Sequence, residues 1–211
     1  MATNIATPQA AATTCESVQD IIDIAATAEA LAVTALGAAL ESAAQGKLAL
    51  NPEHVQAFTA ARAEEQAHYE ALITSGAKPL TTTFTLPDPK ILTDVATFLP
   101  AVIGLEEAFV AAYLAAAQEF AVLGEPRLAQ LAFSIAAVES EHRVAVRFFA
   151  VEAGVIKGLP NDIAFEQALF TSAGAAADAL KQLGWIGGSG DSITYPGPGK
   201  IDPTGITQLH P

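Results

Sequence analysis

Two Glu-x-x-His pairs are the residues of this sequence with the clearest capacity for chemistry. Glu65 precedes His68 in the segment AEEQAHYE, and Glu139 precedes His142 in the segment VESEHRV. A spacing of three residues places both side chains of a pair on one face of a helix, about one turn apart. A buried carboxylate is costly unless it is neutralised, and carboxylate with imidazole ligands suits Fe, Mn or Zn. The pairs therefore indicate a buried metal site between helices.

Four long helical segments are expected to position these residues. They run over about 16–45, 51–75, 88–123 and 125–153, with Asn51 as an N-cap and with Pro52 and Pro126 in first turns. Each segment carries an apolar stripe at steps of three and four, and each stripe is interrupted near its middle by one glutamate. In the first and third segments these glutamates are Glu29 and Glu106.

The chain also repeats itself at the level of these polar residues. Glu65 and Glu139 are 74 residues apart, and so are His68 and His142, so each half supplies a glutamate followed by a Glu-x-x-His pair. Two such halves related by a pseudo-twofold axis give the ligand pattern of di-iron and di-manganese carboxylate proteins. The candidate metal ligands are Glu29, Glu65, His68, Glu106, Glu139 and His142. Buried Glu–His hydrogen bonds in a bundle without metal are the alternative.

Several neighbours compete with these candidates. Glu107 adjoins Glu106 but lies off the apolar stripe, and Glu64 and Glu141 flank the ligand glutamates on what is expected to be a solvated face. We therefore do not assign these three glutamates to the metal site.

Tyr113 is the one candidate catalytic residue, and it lies two turns from Glu106 on the same stripe. It is positioned to bond a metal ligand or to carry an electron, although a core tyrosine with a satisfied hydroxyl is the simpler interpretation. His54 and His210 belong to no cluster and are expected at the surface.

The connectors predict how the helices are arranged. Short turns join the first segment to the second and the third to the fourth, whereas SGAKPLTTTFTLPDPK joins the two hairpins and is long enough to run the length of a bundle. This is the all-α, ferritin-like variant of the four-helix bundle, predicted over residues 16–153. A fifth helix that packs on the bundle is expected over 160–184, beginning near Asp162, followed by an extended Gly/Pro-rich tail over 185–211.

Composition excludes several functions. The net charge is −13, which disfavours nucleic acid and anionic lipid as partners. Cys15 is the single cysteine, so intrachain disulfides and cysteine-based metal sites are excluded. The first fifteen residues lack the features of a signal peptide, so we expect a cytoplasmic protein or an exported one whose leader has been removed. Glutamates interrupt the alanine-rich runs, so no membrane span is predicted, and alanine-rich helix faces make a homodimer plausible.

Four segments resemble the ferritin-like superfamily over roughly residues 16–152, and more narrowly the bacterial ferritin-like family that includes desiccation-related proteins. They are AATAEALAVT, ARAEEQAHYEAL, FLPAVIGLEEAFVAAYLAAA and AAVESEHRVAVRFF. The resemblance implies that the six candidates bind two Fe ions, with Mn or Zn as alternatives, and that Glu65 and Glu139 are able to bridge them. It also implies reaction of Fe(II) with dioxygen or peroxide, as in ferroxidases and peroxidases. The alternative is a metal-binding or stress-protection protein without turnover.

Departures from related families narrow this expectation. Rubrerythrins have a further glutamate three residues after the ligand of the third helix, where this chain has Phe109, and they carry a cysteine-rich module that a single cysteine cannot supply. Bacterioferritins bind haem through a methionine directly after the glutamate of the second helix, where this chain has Gln66. We therefore expect no haem. The tail is foreign to cage ferritins, which argues against assembly into an iron-storing shell.

Overall fold

The structure is a computed structural model that describes residues 16–211. Cys15 and the segment inspected for a signal peptide lie outside the described residues. Four long helices and a short fifth one dominate the described part: α1 Val18–Ala44, α2 Pro52–Thr74, α3 Val95–Leu123, α4 Pro126–Glu152 and α5 Ala173–Gln182. Two short strands, β1 Thr83–Thr85 and β2 Ser192–Thr194, complete it together with a 3₁₀ turn at Pro89–Leu92.

Local signals set the helix ends. Ser17 and Asp20 form a capping box at the start of α1, and the Asn51 side chain accepts a hydrogen bond from His54 N at the start of α2. Gly124 ends α3 with a left-handed backbone, φ 79°, which lets the chain turn directly into α4. These signals confirm the predicted boundaries of α1, α2 and α4 to within two or three residues.

The long helices form two hairpins. Helix α1 packs mainly against α2, and α3 packs mainly against α4, while the contacts between hairpins are sparser. The expected all-α bundle of two hairpins joined by a long crossover is therefore confirmed. Inward-facing apolar side chains fill the bundle interior, including Leu31, Phe58, Leu99, Phe109 and Ile135.

Two helices begin later than predicted. Residues 89–92 form only a 3₁₀ turn, and α3 begins after Asp94, whose side chain accepts a hydrogen bond from Ala96 N at 3.1 Å. Helix α5 begins at Ala173 rather than near Asp162, because the acidic side chains that precede it are engaged with α4. Asp162 pairs with Arg147 at 2.6 Å, and Glu166 accepts a hydrogen bond from Arg143 at 2.8 Å.

Helix α5 packs against α1 and α3 on the side of the bundle away from the α2–α4 seam. Its first turn is held by two carboxylates: Glu119 of α3 accepts from Ala173 N at 2.8 Å, and Glu16 accepts from Gly174 N at 2.8 Å. These bonds satisfy backbone donors that the helix itself leaves unpaired. The fifth helix thereby covers the seam between α1 and α3.

The tail contributes a small sheet that was not predicted. Strand β2 pairs antiparallel with β1 of the crossover, with Phe84 opposite Ile193. Trp185 and Tyr195 are buried, and the Tyr195 hydroxyl donates to Gln66 Oε1 of α2 at 2.9 Å. The crossover and the tail are therefore packed against the bundle.

Helices α1 and α3 are long and apolar enough to span a membrane by length and composition. That neither helix spans a membrane stays a prediction. Within the bundle, 67% and 50% of the two apolar windows are buried, and Glu29 and Glu106 face the interior midway along them. This extent of burial and the inward-facing glutamates are typical of core helices, which can be as long and as apolar as membrane-spanning helices.

Candidate metal centre

Six polar side chains from four helices meet in the middle of the bundle. Helix α1 supplies Glu29 and α3 supplies Glu106, while α2 and α4 each supply a glutamate and, one turn later, a histidine. The sequence places them there because each occupies the inward stripe of its helix. Glu29, Glu65 and Glu139 are fully buried, and Glu106 is 3% exposed. All six candidates from the sequence are thus brought together.

One half of the cluster surrounds His68. Its Nδ1 lies 3.5 Å from Glu29 Oε2, 3.4 Å from Glu65 Oε2 and 3.2 Å from Glu139 Oε1. This nitrogen nevertheless makes no hydrogen bond of acceptable geometry. Three oxygens around one nitrogen, none aligned as its acceptor, is the arrangement expected when all four atoms point at a common centre.

The other half surrounds His142. Its Nδ1 lies 3.1 Å from Glu65 Oε1, 3.3 Å from Glu139 Oε2 and 4.0 Å from Glu106 Oε2. Ligand atoms of Glu65, Glu106, Glu139 and His142 fall within 4.8 Å of one another, as do those of Glu29, Glu65, His68 and Glu139. The cluster therefore contains two overlapping groups of four.

Glu65 and Glu139 belong to both groups, and each splits its two oxygens between them. Glu65 turns Oε2 toward His68 and Oε1 toward His142, while Glu139 turns Oε1 toward His68 and Oε2 toward His142. A carboxylate with one oxygen in each of two adjacent ligand groups is placed to bridge two ions.

A family model of the ferritin-like domain matches residues 17–152, which span all four long helices and all six residues of the cluster. The chain belongs to the ferritin-like domain family. Neither a search of the curated proteins nor a search of the solved structures returned a match. The narrower likeness to desiccation-related proteins stays a prediction.

The protein does not supply hydrogen-bond partners for all the buried polar atoms of this ferritin-like centre. The following buried atoms have no hydrogen-bond partner: Glu29 Oε2, both oxygens of Glu65, His68 Nδ1, Glu106 Oε2 and Glu139 Oε1. Each such atom costs about 1–3 kcal/mol, so the set approaches the roughly 5–15 kcal/mol stability of an entire domain. The donor set and its unsatisfied atoms fit divalent cations of the Fe, Mn or Zn type.

The titration behaviour of the cluster reflects crowding. Burial, followed by the charges of neighbouring carboxylates, raises the pKa of Glu29 and of Glu106 well above 4.5. Burial alone would lower the pKa of His68 and of His142, but the surrounding carboxylates, Glu139 first among them, outweigh it and raise both well above 6.5. Without cations, protons therefore take their place.

Glu65 behaves in the opposite sense. Burial opposes its ionisation, but the adjacent imidazoles of His142 and His68 outweigh burial and lower its pKa. Glu65 is therefore held ionised by its surroundings, in contrast to Glu29 and Glu106.

Glu64 was missed from the sequence and touches the centre from outside. Its Oε2 accepts a hydrogen bond from His142 Nε2 at 2.7 Å. It was expected on a solvated face, and its side chain is indeed 33% exposed. The contact crosses from α2 to α4, so no spacing within one helix signals it. The partner of such a histidine fixes which ring nitrogen carries the proton.

Tyr113 is buried and donates a hydrogen bond to Glu29 Oε1. Burial and then the charge of Glu29 raise the pKa of Tyr113 well above 10. The tyrosine therefore remains a neutral donor, and it occupies one oxygen of Glu29 while the other faces His68.

The remaining candidates fall outside the centre. Glu107, Glu141 and His210 are exposed, as expected. The surface position expected for His54 was wrong: it is 6% exposed, and its ring stacks on Phe149 with centroids 4.2 Å apart. The reason is that the first turn of α2 lies against the last turn of α4, beside Glu152.

Proposed function

We propose that this ferritin-like protein binds two divalent metal ions, iron by preference, and reacts Fe(II) with dioxygen or peroxide. The observation that carries the proposal is the division of the Glu65 and Glu139 oxygens between two ligand groups. In a bundle held by hydrogen bonds alone, both histidines would be hydrogen-bonded to the cluster. His142 Nδ1 is within hydrogen-bond distance of Glu139 Oε2, at 3.3 Å, but His68 Nδ1 has no aligned acceptor.

In this proposal the six residues have distinct tasks. Glu65 and Glu139 would contribute ligands to both ions, Glu29 and His68 would complete the ligands of one ion, and Glu106 and His142 would complete those of the other. Four ionised carboxylates balance two divalent cations, so the buried centre becomes neutral when it is loaded. When bound, such a pair of iron ions supplies the electrons that reduce dioxygen or peroxide.

The chain supplies positioning and proton control. Tyr113 holds one oxygen of Glu29 and so leaves Oε2 to face the ion beside His68. On loading, the raised pKa values of Glu29 and Glu106 mean that protons must leave these carboxyls as cations enter. Apolar packing leaves Glu29, Glu65 and Glu139 fully buried, which strengthens the charge interactions among them.

Anaerobic titration of the metal-free protein with Fe(II), followed by addition of oxygen, tests the proposal. We expect two irons per chain, oxygen consumption and a new near-ultraviolet absorption band. Glu139→Ala should lose all three, whereas Glu141→Ala, which removes an exposed acid two residues away, should keep them. Tight Mn(II) or Zn(II) binding without oxygen consumption would instead identify a metal-binding protein, and absence of bound metal would refute both.

A further inference from the structure

The seam between α2 and α4 opens into a cavity of about 300 Å³ beside one half of the metal centre. The opposite seam, between α1 and α3, is covered by α5. His142 and Glu106, which are 7% and 3% exposed, form the inner wall of the cavity. Glu106 Oε2 is buried and has no hydrogen-bond partner. The cavity thus leads from solvent to a metal-binding group.

Apart from the metal ligands and two glutamates, only apolar side chains line this cavity. Phe58 and Phe149 supply aromatic surface, Leu36 and Val146 supply aliphatic surface, and the remaining positions are alanines of α2 and α4. Alanine at these positions leaves the space open, since any larger side chain would occupy it. An apolar wall with a few polar groups at one end is the usual form of a small-molecule site.

Acidic groups line the same cavity. Glu64 and Glu141 are its two solvent-accessible glutamates, one on α2 and one on α4. The chain as a whole carries a net charge of −13. An anionic ligand would therefore be repelled as it entered.

We infer that this cavity binds a small, uncharged, apolar organic molecule and holds it against the metal ion of His142 and Glu106. The inference deepens the proposed function by naming its substrate class, and the position of the metal rests on that proposal. An apolar cavity of roughly 150 Å³ suffices for benzene, so 300 Å³ accommodates a bicyclic aromatic ring.

The other half of the centre does not offer the same site. A second cavity, of about 340 Å³, lies over His68, but residues 206–211 of the tail form part of its wall. Thr207, Gln208 and His210 make that wall polar. The apolar ligand is therefore assigned to the His142 side alone.

Calorimetric titration of the Zn(II)-loaded protein with 2-naphthol and with 2-naphthoate tests the inference, because Zn(II) occupies the centre without redox chemistry. We expect saturable binding of one 2-naphthol per chain and much weaker, but measurable, binding of the anion. Ala145→Phe fills the cavity from α4 and should weaken 2-naphthol binding at least tenfold. Ala137→Phe, on an exposed position of α4 outside the cavity, should leave it unchanged.

Two further variants keep the test decisive. Ala57→Leu fills the cavity from α2 should Ala145→Phe fail to fold. Glu141→Gln removes an entrance charge and should lessen the rejection of 2-naphthoate, by roughly three- to fivefold.

Zinc content and sedimentation are measured on every sample. Two zinc ions per chain with no 2-naphthol binding would overturn the inference and leave the metal proposal intact. Binding of 2-naphthol without bound zinc would refute the metal proposal, and with it the assignment of the ligand to a metal. Equal binding of 2-naphthol by Ala145→Phe and by wild type would overturn the inference. A loss of self-association in Ala145→Phe would also overturn it, because the cavity would then be an interface between copies of the chain.

Discussion

Replacement of Glu64 by alanine should weaken metal binding although Glu64 is not among the proposed ligands. Its carboxylate accepts the Nε2–H of His142 at 2.7 Å, so when the ring gives up one proton to bind a metal, Nε2 keeps its proton and Nδ1, which faces Glu65 and Glu139, offers the lone pair. Without this acceptor the imidazole can keep its proton on Nδ1 rather than on Nε2, or it can rotate away from the centre. Each of these changes must be reversed when the metal binds, and this reversal reduces the affinity.

The magnitude follows from the nature of the contact. Removal of the hydrogen-bond partner of a ligating histidine typically costs 10- to 100-fold in metal affinity, or about 1.4–2.7 kcal/mol. The charge of Glu64 adds little, because its side chain is 33% exposed and solvent screens it, so this contribution stays below about 1 kcal/mol. Glu141→Ala removes the exposed acid that directly precedes His142 but is neither hydrogen-bonded nor ion-paired to its ring, and it measures that charge effect separately.

Competition of Mn(II) between the protein and a chelator gives the dissociation constants. We expect Glu64→Ala to lose at least tenfold in the affinity of one of two ions and Glu141→Ala to lose less than threefold. Glu64→Gln keeps an acceptor oxygen and should recover part of the loss. Equal losses in the two alanine variants would refute the reasoning, because the effect would then be one of charge. No loss in Glu64→Ala would show that the hydrogen bond does not orient His142.

Three other perturbations have defined outcomes. The folded metal-free protein binds protons more tightly than the unfolded chain at four residues of the centre: His68, His142, Glu29 and Glu106. Its melting temperature should therefore fall between about pH 5 and pH 9, while the stabilisation by Mn(II) should grow. A melting temperature that rises with pH in scanning calorimetry of the metal-free protein would contradict this. Tyr113→Phe leaves Glu29 Oε1 without its hydrogen-bond donor and should lower the free energy of unfolding of the metal-free protein in urea by about 1–3 kcal/mol. The variant should still bind two ions, and loss of one ion would contradict this prediction. Trp185→Ala should cost about 3–5 kcal/mol by the same method, because the indole is 5% exposed; unchanged unfolding would show that the tail adds no stability.

The bundle and its six central residues were predictable because they depend on periodicity within single helices. An inward stripe fixes which side chains face the core, and polar residues at matching levels of four stripes meet once the hairpins associate. The same reasoning separated Glu106, which is buried, from Glu107, which is exposed.

The features that were missed depend on contacts between elements distant in sequence. Glu64 meets His142 across 78 residues, and β1 meets β2 across more than a hundred, so no local pattern marks either contact. Helix α5 begins late because the arginines of α4 bind the acidic residues that precede it. Local propensity can propose a helix there, but tertiary pairing decides where it begins.

The repeat of the ligands conceals an asymmetry in what surrounds them. The two halves supply matching Glu and Glu-x-x-His sets, yet α5 covers the α1–α3 seam while the α2–α4 seam is open on both sides of Glu64 and Glu141. On that open seam His142 is tied to Glu64 and borders an apolar cavity, whereas His68 borders a polar one closed in part by the tail. Two ions in this centre would therefore have the same ligand types but different access, and we infer that any reaction with an organic molecule takes place on the His142 side.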